Sequence, residues 1–234
     1  MYSEVTELDI SGKNIKSLGE INWKLYPNLK KLNCSYNQIT SLEHCPPNLQ
    51  ELYCGFNKLT SLEHCPANLQ ELYCSFNQLT SLKHCPAKLQ ELNCSNNKLT
   101  SLKHCPPNLQ ELYCGYNQLT SLEHCPANLQ KLWCNGNQIT SLEHCPTTLQ
   151  KLYCYNNQIT SLKHCPTNLQ LLHCYNNPLP IEYKNLSDEE ILKKIKDEQK
   201  IKNRIIAIIA LQKFSKDNEI YIPKEIIKYI IKLI

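Results

Sequence analysis

The segment LQELYCGFNKLTSLEHCPAN, residues 49–68, recurs with little change every twenty residues. The unit is Leu-x-x-Leu-x-Cys-x-x-Asn-x-Leu/Ile-Thr-Ser-Leu-x-His-Cys-Pro-x-x, beginning at Leu29, Leu49, Leu69, Leu89, Leu109, Leu129, Leu149 and Leu169. The last copy decays into NNPLPIEYKN. An imperfect copy precedes the first, with Val5, Leu8, Ile10, Ile15 and Leu18 in the same apolar places. It is four residues longer and carries Lys13 where the others have asparagine. Nine units therefore span about residues 5–180. A fixed internal period of this kind decides the architecture before any other feature does.

Twenty residues cannot bury a core of their own, so each unit must stack on its neighbours. Leu52-Tyr53-Cys54 alternates inward and outward, a strand signature, and stacked strands would pair in parallel about 4.8 Å apart. Turn-forming Gly, Asn and Ser follow the strand, while Pro66 stiffens the return limb and discourages a helix there. Too few residues remain for a return helix, so the coil is expected to close through extended or short 3₁₀ segments. The Leu-x-x-Leu-x-Cys-x-x-Asn-x-Leu core, at strict spacing over about three-quarters of the chain, resembles the leucine-rich repeat family. The likeness is to its short twenty-residue form, found in some bacterial effectors and amoebal giant-virus proteins. It implies an α/β solenoid, a horseshoe with a parallel sheet on its concave side, and ligand binding rather than catalysis. On this reading the chain divides into an N-terminal capping repeat at 1–28, the repeats at 29–180 and a C-terminal helical segment at 181–234.

Asn37, Asn57, Asn77, Asn97, Asn117, Asn137, Asn157 and Asn177 form one column. A coil that turns inward strands backbone amides and carbonyls, and an asparagine amide supplies both donors and an acceptor to satisfy them. This ladder is expected to be structural.

The fifteen cysteines fall into two columns. Cys34, Cys54, Cys74, Cys94, Cys114, Cys134, Cys154 and Cys174 take an inward strand position, and Cys45 through Cys165 precede the proline of the return limb. Free cysteine behaves as a small hydrophobe, so both columns are expected to fill a narrow core. The start of the chain shows no basic region followed by an apolar one, so no secretory signal is expected; reduced thiols and a cytoplasmic, or host-cytoplasmic, location follow. His44, His64, His84, His104, His124, His144 and His164 each directly precede one of these cysteines. Adjacent residues of an extended segment point to opposite sides, so a histidine and its cysteine cannot share an ion. Zinc motifs use gaps of about two to four residues, and none occurs here. No metal, cofactor or catalytic nucleophile is therefore expected, since every thiol has six or more equivalents and none is marked as activated.

Function should sit on outward strand positions. One reads Asn33, Tyr53, Tyr73, Asn93, Tyr113, Trp133, Tyr153, His173, and three residues on come Tyr36, Phe56, Phe76, Asn96, Tyr116, Gly136, Asn156, Asn176. Tyr155 and Tyr175 lie between them. Aromatics on a concave sheet suit protein recognition, but stacking along the strands for stability explains the first column equally well. The second column reads as partly buried at the coil edge. A further position reads Lys31, Glu51, Glu71, Glu91, Glu111, Lys131, Lys151, Leu171. Four stacked glutamates repel one another; either a basic partner meets them, or solvent with Lys58 and Lys98 screens them. The candidate partner-binding set is Glu51, Tyr53, Glu71, Tyr73, Glu91, Glu111, Tyr113, Trp133, Tyr153 and Tyr155.

After Pro180 the composition shifts to Ile and Lys. Ser187-Asp188-Glu189-Glu190 is a capping box, followed by an apolar pattern through Ile191, Leu192 and Ile195. Ile205, Ile206, Ile208, Ile209, Leu211 and Phe214 continue that helix or form a second. SKDNE breaks the pattern, and Pro223 opens a final helix with Ile226, Ile227, Ile230, Ile231 and Ile234 on one face. Covering the solenoid's open end is the simplest role for this segment, with self-association through the last helix as a secondary outcome. YIPKEIIKYIIKLI, residues 221–234, also resembles the opening of an F-box, or the shortened F-box-like end of poxvirus ankyrin-repeat proteins. That resemblance implies a substrate receptor of a ubiquitin ligase. A net charge of +4 is too small for a nucleic-acid footprint, and no apolar run is long enough for a membrane span. The sequence thus points to a non-enzymatic module binding a protein partner on its concave face.

Overall fold

The computed structural model describes residues 2–217 and Pro223. Among them are nine short strands: β1 (Glu7–Asp9), β2 (Lys31–Asn33), β3 (Glu51–Tyr53), β4 (Glu71–Tyr73), β5 (Glu91–Asn93), β6 (Glu111–Tyr113), β7 (Lys131–Trp133), β8 (Lys151–Tyr153) and β9 (Leu171–His173). They form one sheet in chain order, every neighbour parallel. Register is set by the repeat itself: Leu52 pairs with Leu72, and Tyr53 with Tyr73. Since one coil is one period, every residue meets its own equivalent, and side chains of one type stack in columns.

The columns account for the core. Leu49, Leu52, Cys54, Leu59 and Leu62 are wholly buried, as are their equivalents in the central coils. Each buried leucine contributes about 1.5–3 kcal/mol against leaving it in water. The asparagine column is equally regular. Asn57 Oδ1 accepts from Ile39 N at 2.9 Å, and its Nδ2 donates to Cys34 O in the preceding coil and to Cys54 O in its own, at 3.0 and 3.1 Å. One amide thus ties two coils together, as its chemistry requires.

The return limb departs from expectation. From Leu29 to the last repeat it holds no 3₁₀ helix; those lie in the first coil (Leu18–Glu20 and Trp23–Leu25) and after the last (Ile181–Tyr183). Each coil instead bends through a tight turn. Cys65 N donates to Leu62 O at 3.0 Å, His64 sits at φ 63° in the left-handed region, and Ser61 Oγ accepts from Glu63 N at 3.0 Å. A positive φ at the third turn residue matches a type II turn. The next residue, Pro66, is buried. Proline therefore fills core as well as stiffening the chain, which corrects the depth expected of the second cysteine column. Leu62 and Pro66 take the deep places, so Cys45, Cys65, Cys85, Cys105, Cys125 and Cys145 are only half-buried, while Cys165 is buried.

The chain separates into a unit ending at Asn185, which holds the repeats, and a second beginning at Leu186. The latter contains one α-helix among the described residues, α1 (Asp188–Asp217). Its expected capping box is present: Ser187 N donates to Glu190 Oε2 at 2.8 Å, and Glu190 N to Ser187 Oγ at 3.3 Å. The helix runs unbroken through Ile205–Phe214 and on to Asp217, past the start of the SKDNE segment. Alanines and lysines there keep helix propensity high. Ile191, Leu192 and Ile195 are buried, whereas Ile205, Ile206 and Ile209 are at least 50% exposed. The final helix anticipated from Pro223, its isoleucine face and the F-box-like stretch 221–234 lie outside the described residues apart from Pro223 itself. Within the described residues, no helix is long and apolar enough to cross a membrane.

Candidate interaction surface

On the sheet's outer face, two positions per strand face the same way. The first is the residue that opens the strand, the second the one two residues later, and both are half-buried by their equivalents on neighbouring strands. Pairing in register lines the second positions into a ladder of flat rings. Tyr53 stacks on Tyr73 with centroids 4.4 Å apart and planes 5° from parallel. Tyr113, Trp133, Tyr153 and His173 form a longer stack at 4.1, 4.9 and 4.9 Å. Five of the candidate residues are therefore brought together, with His173 added, in two groups separated by Asn93.

Tyr155 does not join this ladder. It stacks on Tyr175 at 4.6 Å. Tyr116 lies over Gly136, where a Cβ would lie 2.7 Å from the ring. Tyr155 thus forms a pair of its own beside the second aromatic column. That column is partly buried, as expected, but its rings are open to solvent: Tyr36, Phe56, Phe76 and Tyr116 are 37–61% exposed. Tyr36 and Phe56 stack at 4.3 Å, and Phe56 and Phe76 at 4.1 Å. All four have φ between 53° and 57°. The left-handed backbone after the strand aims these rings outward, which the alternation of a strand does not foretell.

Glu51, Glu71, Glu91 and Glu111 stand in register beside the ring ladder. Their compensation differs from expectation. Lys58 Nζ lies 3.4 Å from Gln38 Oε1. The cations on the carboxylate row are the residues at its own two ends: Lys31 lies 3.0 Å from Glu51, and Lys131 2.5 Å from Glu111. Each ion pair holds its lysine above the usual range. Tyrosines serve the interior. The Tyr73 hydroxyl is 2.8 Å from Glu91 Oε1 and 3.1 Å from Glu71 Oε2, and the Tyr113 hydroxyl is 3.0 Å from Glu111 Oε2. Burial, then the adjoining carboxylates, pushes both phenols up, so each stays a donor. Burial also raises Glu91, and Glu111 and Glu71 add to it.

Beside this row is a feature the sequence reading passed over. Gln70, Gln90, Gln110, Gln130 and Gln150, with Lys88, line a groove of about 870 Å³. The Gln before each strand was its only signal.

Burial disfavours the thiolate along the strand cysteine column. The strand cysteines are wholly buried; burial lifts Cys34 and Cys74 to about 12 and Cys54 and Cys94 well above the ordinary thiol range. The fourteen cysteines from Cys34 to Cys165 form no disulfide. Among the described residues, no group of three or more His, Cys, Asp or Glu is placed to hold a metal ion.

A family description of leucine-rich repeats in two copies matches residues 27–66, 47–84, 67–105 and 107–146. Together these cover just over half of the chain. The chain belongs to the leucine-rich repeat family. Among solved structures it is similar to YopM from Yersinia enterocolitica, at 34% identity and a TM-score of 0.67 over 75% of this chain and 38% of that one. It is also similar to the functional domain of InlJ from Listeria monocytogenes, described as including a cysteine ladder: 35% identity and TM-score 0.61 over 74% of this chain and 40% of that one. The leucine-rich repeat domain of a Shigella effector matches at 28% identity and TM-score 0.54, over 76% of this chain and 72% of that one. The chain thus spans about two-fifths of YopM and of the InlJ domain. No curated protein sequence matches it significantly. Leucine-rich repeats are scaffolds for protein–protein interaction and are typically not enzymes.

Proposed function

We propose that this repeat array binds a protein partner on its concave sheet face, across Tyr53, Tyr73, Tyr113, Trp133 and Tyr153 and the carboxylates of Glu51, Glu71, Glu91 and Glu111. The observation that carries the reading is the ring ladder itself. It offers a broad aromatic surface already fixed by stacking, so a partner meets it without paying to order the side chains. Stacking also stabilises the sheet, and the two roles are compatible. Variation supports recognition: the core columns hardly change along the array, whereas this position runs through Asn, Tyr, Trp and His. The thiols, wholly buried along the strand column and half-buried along most of the other, support a non-enzymatic role in a reducing compartment, the cytoplasm or a host cytoplasm.

The test is affinity capture followed by binding measurements on the captured protein. Trp133→Ala should weaken binding by about 2 kcal/mol or more, the scale of an interface hot spot. Lost stacking should lower stability by only about 1 kcal/mol, leaving the array folded by circular dichroism. If sheet-face alanines leave binding intact while changes at Lys103 or His104 abolish it, the face has been misassigned.

A further inference from the structure

Asparagine takes the ring position twice, at the start of the ladder and within it, and the first case shows what the second lacks. At Asn33 the side chain folds back on its own strand end, its Oδ1 accepting from Ser35 N at 3.1 Å, while its Nδ2 donates to Asp9 Oδ2 on the preceding strand at 3.0 Å. The neighbouring ring, Tyr53, is then capped by a cation: Lys31 Nζ lies 5.3 Å from the ring centroid and 3.0 Å from Glu51. A positive charge on a tyrosine face, paired with a carboxylate of the same row, closes the gap.

At Asn93 the fold-back recurs, its Oδ1 accepting from Ser95 N at 3.1 Å. Here rings stand on both sides, because Asn93 pairs with Tyr73 on one strand and Tyr113 on the other. Two strand steps separate those rings, about 9–10 Å. A flat group midway would lie about 4.5–5 Å from each, near the separation the ladder's own rings adopt. The residue that supplied lysine at the first break is now Glu91. Glu91 Oε1 accepts from Tyr73, and neither Glu91 nor Glu71 has an ion pair among the described residues. The second break therefore has two ring faces and a carboxylate that accepts from Tyr73 but makes no ion pair among the described residues, Lys131 being paired with Glu111 and acting on it only at longer range.

We propose that the interval at Asn93 receives the guanidinium of an arginine from a protein partner, stacked between Tyr73 and Tyr113 and paired with Glu91. A guanidinium is planar, so it can stack between two aromatic faces at once and bond a carboxylate through two parallel N–H groups; an ammonium can sit over one ring, as Lys31 does, but is not flat and bonds as a point charge, and an aromatic ring would bring Glu91 no counter-charge. This deepens the concave-face reading and rests on it for the identity of the partner as a protein, while the slot can be tried directly.

The full chain, labelled with ¹⁵N, is titrated with blocked Gly-Arg-Gly, Gly-Lys-Gly and Gly-Tyr-Gly peptides and followed by NMR. The arginine peptide should shift the amides of Asn93 and Ser95 saturably, and the lysine and tyrosine peptides should bind several-fold more weakly. Glu91→Gln should weaken the arginine peptide about tenfold, the factor set by one charged pair. Asn93→Tyr should fill the interval with a ring, abolishing the response while raising the melting temperature, so that lost binding cannot be lost folding. Equal responses to the arginine and lysine peptides, or an undiminished response in Asn93→Tyr, would overturn the proposal. The captured partner separates the two readings. If Trp133→Ala releases it and Asn93→Tyr does not, the face stands and the slot falls. If the arginine peptide titrates Asn93 but neither variant affects capture, the slot stands and the face falls.

Discussion

The sheet face and the return limb are built from the same repeats, yet they vary differently along the chain. On the return limb, Thr-Ser-Leu-x-His-Cys-Pro is nearly invariant from coil to coil, even at histidines that are exposed. On the sheet face, a single position passes through Asp, Asn, Tyr, Trp and His within nine strands. The contrast teaches that repetition here marks backbone demand, whereas departure from the repeat marks where a surface is free to be chosen. The return limbs make a tight turn, with a positive φ from His44 to His144, and each caps an amide with Ser and buries Pro, so their sequence is held. Nothing in the sheet's hydrogen bonding depends on which side chain faces outward.

The strongest way to break that contrast is to compare two asparagines four residues apart. Asn97 belongs to the buried ladder: its Oδ1 accepts from Leu79 N at 2.9 Å, and its Nδ2 donates to Cys74 O and Cys94 O at 3.1 and 3.0 Å. Asn97→Ala strands several buried groups at about 1–3 kcal/mol each and should cost about 3 kcal/mol or more in urea unfolding. Asn93→Ala loses one local bond at the surface and should cost less than about 1 kcal/mol. Comparable losses at the two would mean that the sheet face is as constrained as the core.

A second comparison tests whether the histidines are held for chemistry or for geometry. His104 has φ 68°, and its equivalents from His44 to His144 lie between 63° and 67°. Asparagine tolerates this region and a β-branched residue does not. His104→Asn should leave stability nearly unchanged, while His104→Val should lose about 1–2 kcal/mol. Equal effects from the two would point to a role for the imidazole itself.

How much of this was legible follows the same division. The period gave the solenoid, the strand positions, the register and the asparagine ladder, because a column in sequence becomes a column in space. The turns were less legible: a histidine carries no sign of a positive φ, so extended or short 3₁₀ segments were expected and the tight turn was not, and Pro66 was read as stiffener without its burial. The outward aim of Phe56 and Phe76 was hidden for the same reason. Within the candidate surface, the residues were identifiable but their partners were not. That Lys31 and Lys131, and not Lys58 or Lys98, meet the glutamates depends on which side chains share a face in three dimensions. The break at Asn93 is plain in the sequence, yet its meaning needed the rings on both sides.

The smallest expected effect sharpens the claim that the sheet face is not chosen for stability. Glu91 is held above the ordinary carboxylate range by burial first and by Glu111 and Glu71 next, with the Tyr73 hydrogen bond and Lys131 opposing. The folded protein therefore binds this proton more readily than the unfolded chain does. Stability is then lost as pH rises from the unfolded value through the raised folded one, since unfolding releases a proton across that window. Glu91→Gln keeps an acceptor for Tyr73 and removes the titration. Its urea midpoint should match that of the natural protein near pH 4 and exceed it slightly at pH 7. The gap should stay below about 1 kcal/mol, because the group is partly exposed and screened, and should shrink as salt is added. A gap that is constant with pH would mean the row carries no strain. A gap that opens with pH would show that the array retains a carboxylate its own folding does not want, which is the mark expected of a surface kept for something else to bind.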